Sequence, residues 1–145
     1  MHSVKTIFFS IVVVSLLLAG QAKAREDKSM GLVINLTTEQ TGASGHAVQL
    51  ADKMMQQGHP VTFFLNQHSV LFATKNAPHN TYAPSGKTIH DMLLQSMKHG
   101  AKVIVCQVCA KMQGIQKSDL IHGAVLGNPD VVSVSLVEPK NQVIR

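Results

Sequence analysis

Leu32-Val33-Ile34-Asn35-Leu36 is a short, nearly all-apolar run of the kind that fills a sheet covered on both faces. It is the expected first strand. Working outward, the polar stretch Thr37 to Ala43 leads to Ser44, a good N-cap, after which Ala47, Leu50, Ala51 and Met54 recur at helical spacing until Gly58 supplies a stop. Val61 to Leu65 repeats the buried-strand signature. A short helical stretch at Ser69 to Ala73 gives way to Thr74 to Pro84, which holds two Pro and no periodicity and reads as a mobile loop.

Beyond the loop, Ile89, Met92, Leu93, Ser96 and Met97 mark one face of a helix that Gly100 closes. Val103-Ile104-Val105 starts another buried strand. A Gly-containing turn, a short helix near Ser118 to Val125, an Asn128-Pro129 break and a last strand at Val131 to Val137 complete the pattern. Strands alternating with helices over short connections predict an α/β fold with a parallel, helix-covered sheet. No internal repeat or linker interrupts it.

The 145 residues, 45% hydrophobic and 14% charged, fit one globular domain rather than a disordered or disulfide-stapled chain. Part of that length reads as an address. Lys5 precedes the apolar run Ile7 to Ala19, and Ala22-Lys23-Ala24 offers the small residues of a cleavage site, so residues 1–24 are expected to be a secretory signal peptide and 25–145 a single domain. The run is short of the roughly 20 residues a membrane span needs, which disfavours a stable membrane anchor. Cleavage after Ala24 predicts a periplasmic or otherwise exported protein of 121 residues, with 11 Lys and Arg against 8 Asp and Glu. Those basic residues are scattered singly without interleaved aromatics, which argues against nucleic acid as a partner.

The chemistry concentrates in Val103-Ile104-Val105-Cys106-Gln107-Val108-Cys109, which puts two thiols where a buried strand runs out into a loop. In open α/β sheets, the carboxyl ends of strands are where reactive groups gather. Cys109, near a helix N-terminus beside Lys111, is expected to gain thiolate character from unpaired N–H groups and positive charge. A structural disulfide and half of a zinc site are the alternatives for the pair. Thioredoxin-type chemistry fits less well, because the pair comes late and encloses Gln107-Val108. A zinc site would have to recruit His, since a second C-x-x-C is absent. His46, placed after the first strand, and His122, on the helix after the Cys turn, are the histidines expected to face the sheet's carboxyl edge and act as acid or base. The others, His59, His68, His79, His90 and His99, read as surface or capping residues.

Three features are set aside. Ser85-Gly86-Lys87-Thr88 resembles the end of a phosphate-binding loop, but Thr81 stands where that motif needs Gly. Gly42-Ala43-Ser44-Gly45 lacks the dinucleotide spacing. Met54, Met55, Met92, Met97 and Met112 could capture a soft metal, but their helical spacing favours core packing.

Taken together, the pattern resembles the DsrE/DsrF-like family, which includes the TusD-type sulfur-relay subunits. The matching features are the opening strand, Gln57-Gly58-His59-Pro60-Val61-Thr62-Phe63-Phe64-Leu65, Ser69-Val70-Leu71, and above all Val105-Cys106-Gln107-Val108-Cys109-Ala110-Lys111-Met112-Gln113-Gly114-Ile115. Gln113 stands where the family commonly has Arg. The resemblance implies a three-layer flavodoxin-like sandwich with a mainly parallel sheet of four to five strands, assembled into homo-oligomers, trimers or hexamers. It further implies that Cys106 carries sulfane sulfur as a persulfide, with donor and acceptor proteins or small sulfane-sulfur compounds as partners and no metal or organic cofactor. Cys109 is then the expected resolving thiol, with His46, His122, Lys111 and Gln113 in support. The competing functions are a noncatalytic soft-metal or small-ligand binding module and a thiol-disulfide redox protein.

Overall fold

The computed structural model describes residues 30–137 and 140–144. The expected signal peptide, residues 1–24, lies outside them. No helix among the described residues is long and apolar enough to cross a membrane.

In chain order the elements are β1 (Gly31–Leu36), α1 (Thr41–Gln56), β2 (Val61–Leu65), a 3-10 segment (Gln67–Ala73), β3 (Thr81–Tyr82), β4 (Lys87–Thr88) and α2 (Ile89–Lys98). There follow β5 (Lys102–Cys106), α3 (Gln107–Met112), a 3-10 turn (Lys117–Asp119), β6 (Val125–Gly127), α4 (Pro129–Val137) and β7 (Asn141–Ile144). The main sheet runs β6-β5-β2-β1-β7. Every pairing in it is parallel. The expected α/β class and strand number are therefore observed.

Alternation along the strands divides the sheet into two faces. Leu32, Ile34 and Leu36 of β1, Phe63 and Leu65 of β2, and Val103 and Val105 of β5 are buried in one core cluster with Val48 and Ala51 of α1 and Ile89 and Leu93 of α2. Phe63 is wholly buried, worth about 1.5–3 kcal/mol relative to exposure. On the other face, Val33, Thr62, Phe64 and Ile104 meet Val132, Ser135 and Leu136 of α4 along a narrow seam. The topology explains this division: β1, β2, β5 and β6 step in one direction, and right-handed crossovers keep their helices on one side. The return from β6 to β7 crosses the whole sheet and lays α4 on the opposite side.

Four local expectations are corrected. Residues 131–137 are helical, not a strand. Pro129 occupies the first helical position, where its fixed φ suits the helix, and Asn128 Oδ1 accepts the N–H of Val131 at 2.9 Å. These start signals override the β preference of the valines. The last strand is instead Asn141–Ile144, paired with β1. Ser44 is not the N-cap: α1 begins three residues earlier, and Ser44 is buried within it, donating from Oγ to the Thr38 carbonyl at 2.8 Å. Thr74 to Pro84 is not structureless, because Thr74 bridges Leu120 and Thr81–Tyr82 pairs with Lys87–Thr88. Tyr82 is its anchor, buried against Gly45. Finally, the helix expected near Ser118 to Val125 is only a 3-10 turn, and Val125 opens β6.

Candidate functional site

Cys106 is both the last residue of β5 and the N-cap of α3. Its backbone remains outside the helical region (φ −56°, ψ 114°), and Sγ takes the place usually held by a Ser or Asp oxygen. The N–H of Cys109 donates to that sulfur at 3.3 Å. The C-x-x-C spacing is thus an N-cap to N3 relationship. Both cysteines are free and half-buried. Burial, the largest effect, pushes the Cys106 thiol above its ordinary pKa, and the Cys109 thiol adds to the rise. The N–H groups of Cys109 and Val108 oppose it without cancelling it.

The neighbouring strand ends fix the surroundings. Leu65 of β2 pairs with Val105 of β5, so Asn66 lies level with Cys106 at the carboxyl edge. Asn66 donates from Nδ2 to Asn35 Oδ1, and its N–H donates to the Leu36 carbonyl at 2.9 Å. Wholly buried Ser69 receives the Asn66 N–H on Oγ at 3.0 Å and donates to the Leu36 carbonyl at 2.6 Å. Gln67, next in sequence, adopts φ 49°, a left-handed conformation costing a non-glycine residue roughly 1–2 kcal/mol. Its carbonyl accepts Gln113 Nε2 at 2.7 Å. Gln113 ends α3, so both ends of that short helix are tied to the same sheet edge.

Of the residues singled out from sequence, the structure brings together Cys106, Cys109 and Gln113. Lys111 is exposed on α3 and borders a separate cleft of 360 Å³ with Gln107, Gln116, Ile115 and Leu126. His46 lies on α1 rather than in the loop before it, and is exposed. His122 lies in an exposed turn, not on a helix. That turn precedes the start of β6, which puts it at the sheet's amino edge, away from the thiols. Met112, expected in the core, is 81% exposed. Asn35, Asn66, Gln67 and Ser69 carry no site role in the sequence reading; the available signals are Asn35, a polar residue inside an apolar run, and Ser69, which opens the matching segment Ser69-Val70-Leu71.

A family model described as the DsrE/DsrF-like family matches residues 28–137, more than half of the chain. Among solved structures, the fold is similar to the ychN protein from E. coli, with a TM-score of 0.65, 19% identity, and coverage of 79% of this chain and 99% of that one. It is also similar to a protein of unknown function from Methanobacterium thermoautotrophicum, with a TM-score of 0.62, 10% identity, and coverage of 81% and 99% respectively. No curated protein matches the chain by sequence.

Proposed function

The chain belongs to the DsrE/DsrF-like family, and from that membership we propose that it is an exported sulfur carrier that holds sulfane sulfur as a persulfide on Cys106, with Cys109 as resolving thiol. One observation carries the reading: half-buried Cys106 ends an interior parallel strand at the start of α3, with its sulfur accepting the Cys109 N–H. In loading, the Cys106 thiolate attacks the outer sulfur of a donor persulfide, forming Cys106–S–SH and releasing the donor thiolate. An acceptor thiolate can take that outer sulfur by the same displacement. Alternatively, the Cys109 thiolate attacks Cys106 Sγ, expels hydrosulfide and leaves a Cys106–Cys109 disulfide. A dithiol reductant then reopens the disulfide, becoming oxidised itself.

The apolar run Ile7 to Ala19 and the small residues at Ala22 and Ala24 support export. A resolving thiol suits an oxidising compartment, where the disulfide product persists until it is reduced. Self-association is supported by the α4 face of the sheet. Val131 and Val134 are exposed on α4, while Val125 and Val143 are exposed on strands in register with the α4-facing Ile104 and Val33. Sedimentation of the purified chain tests for a trimer or hexamer.

Intact-mass measurement after incubation with a sulfane donor tests the central reading. Wild type gains whole sulfur atoms, Cys106→Ser gains none, and Cys109→Ala is loaded but releases no sulfide. Equal loading of wild type and Cys106→Ser overturns the role of Cys106.

A further inference from the structure

The opposite edge of the sheet holds a cluster that the thiol chemistry does not use. The chain enters β1, β2 and β5 there, three strands that lie side by side. α1 and α2 both end at this edge, each followed by a glycine in the left-handed region, Gly58 (φ 95°) and Gly100 (φ 100°). Their closing turns set His59 and His99 against one open cleft of 470 Å³, with Met55, Pro60 and Val61 in its wall. His59 is half-buried, and its Nδ1 lies 3.2 Å from the Met30 carbonyl oxygen. A carbonyl can only accept, so the contact fixes the proton of the neutral ring on Nδ1 and leaves Nε2 as its lone-pair nitrogen. A backbone carbonyl holding the far ring nitrogen is the arrangement that orients a metal-ligating histidine.

We propose that this cleft binds a single copper ion through His59 Nε2, the His99 imidazole and the Met55 thioether. The donor set selects the metal. No three of His, Cys, Asp and Glu gather among the described residues, so a closed four-ligand zinc site is not available. With two imidazoles, the third donor is a thioether, a soft ligand that suits Cu(I). Copper also stands at the top of the divalent affinity order, which matters most where protein ligands are few. The charge environment agrees, because two helices turn their negative C-terminal ends toward this edge. The lysines in their last turns do not line the cleft: Lys53 Nζ donates to Gln56 Oε1 at 3.4 Å. Lys98 lines a different cleft, beside Asp91. His99 is exposed, leaving an entry path from solvent.

The site is independent of the sulfur reading, and its test removes the competing thiols. In the full chain carrying Cys106→Ser and Cys109→Ser, Cu(II) is titrated by electron paramagnetic resonance. Cu(I) is titrated anaerobically against a chromogenic chelator. The expected result is a binding step of one equivalent with hyperfine splitting from two imidazole nitrogens. His59→Asn keeps an N–H for the Met30 carbonyl while removing the ligating nitrogen, and it weakens binding by about tenfold or more. His99→Ala does the same, and Met55→Leu weakens Cu(I) more than Cu(II). His46→Ala, at the far edge, changes neither. Absence of the one-equivalent step overturns the proposal, as does binding that survives in the His59→Asn/His99→Ala double variant or falls equally with His46→Ala.

Discussion

Gln113 Nε2 donates to the Gln67 carbonyl at 2.7 Å, joining the end of the cysteine-bearing helix to a residue held at φ 49°. Two opposite effects on stability follow. Gln113→Ala removes the bond and lowers stability by about 0.5–1.5 kcal/mol. Gln67→Gly relieves the left-handed strain, less the backbone entropy of an added glycine, and raises stability by about 0.5 kcal/mol. Denaturant unfolding of the two variants under reducing conditions measures both, and a destabilised Gln67→Gly contradicts the strain.

The raised pKa of Cys106 sets the pH dependence of its reactivity. Alkylation by iodoacetamide, which needs the thiolate, rises with pH with a midpoint above that of an ordinary thiol. Cys109→Ala lowers the midpoint, because the neighbouring thiol contributes to the rise that burial begins. For stability the sign is fixed as well. The folded state favours the protonated thiol, so the contribution is full below the unfolded thiol's pKa and is lost as pH climbs through the raised one. Peptide mapping of alkylated Cys106 across a pH series checks the midpoint.

Gly45→Ala destabilises the protein even though alanine is the better helix former. A Cβ on Gly45 would sit 2.3 Å from Tyr82 Cγ, too close for any contact, and the ring is buried. Overpacking of this kind costs about 1–3 kcal/mol, more than the roughly 1 kcal/mol an interior helical glycine gives up to alanine. Tyr82→Ala added to Gly45→Ala removes the two closest ring contacts and leaves only the Cβ of residue 82, at 2.8 Å, so a double-mutant cycle in denaturant shows coupling between the two sites.

Asn128→Ala weakens the start of α4. The side chain accepts the Val131 N–H, and loss of such a cap costs about 1 kcal/mol. Asn128→Asp keeps the acceptor and retains most of the stability. Thermal unfolding of the two variants separates the cap from simple truncation.

Where sequence and structure agree, the signal is local. The runs at Leu32–Leu36 and Val103–Val105 are buried on both faces apart from half-buried Asn35, Val61–Leu65 is buried on one face and half-buried on the other, and the helix from Ile89 shows its buried stripe at Met92, Leu93 and Ser96, so composition and period both report them. α4 was misread because its valines favour a strand, while the deciding information lay in Asn128-Pro129-Asp130. β7 has only Val143 and Ile144 as apolar residues, which suffices for an edge strand but makes a weak pattern. Cys106 was legible because it follows directly from Val105 at a strand's end. The bonds from Asn66 to Asn35 and from Gln113 to Gln67 span 31 and 46 positions, and no periodicity reveals pairs brought together only by the order of the strands.

The return connection through α4 joins β6 to β7, the two outermost strands. Five strands measure about 19 Å across from first axis to last, and the connection between them also returns from the carboxyl edge to the amino edge, with α4 seated against Val33, Thr62, Phe64 and Ile104 of the three interior strands. The helix therefore acts as a keel beneath the middle of the sheet, and because its two ends lead to the two outermost strands, lifting either margin also disturbs the packing under the centre.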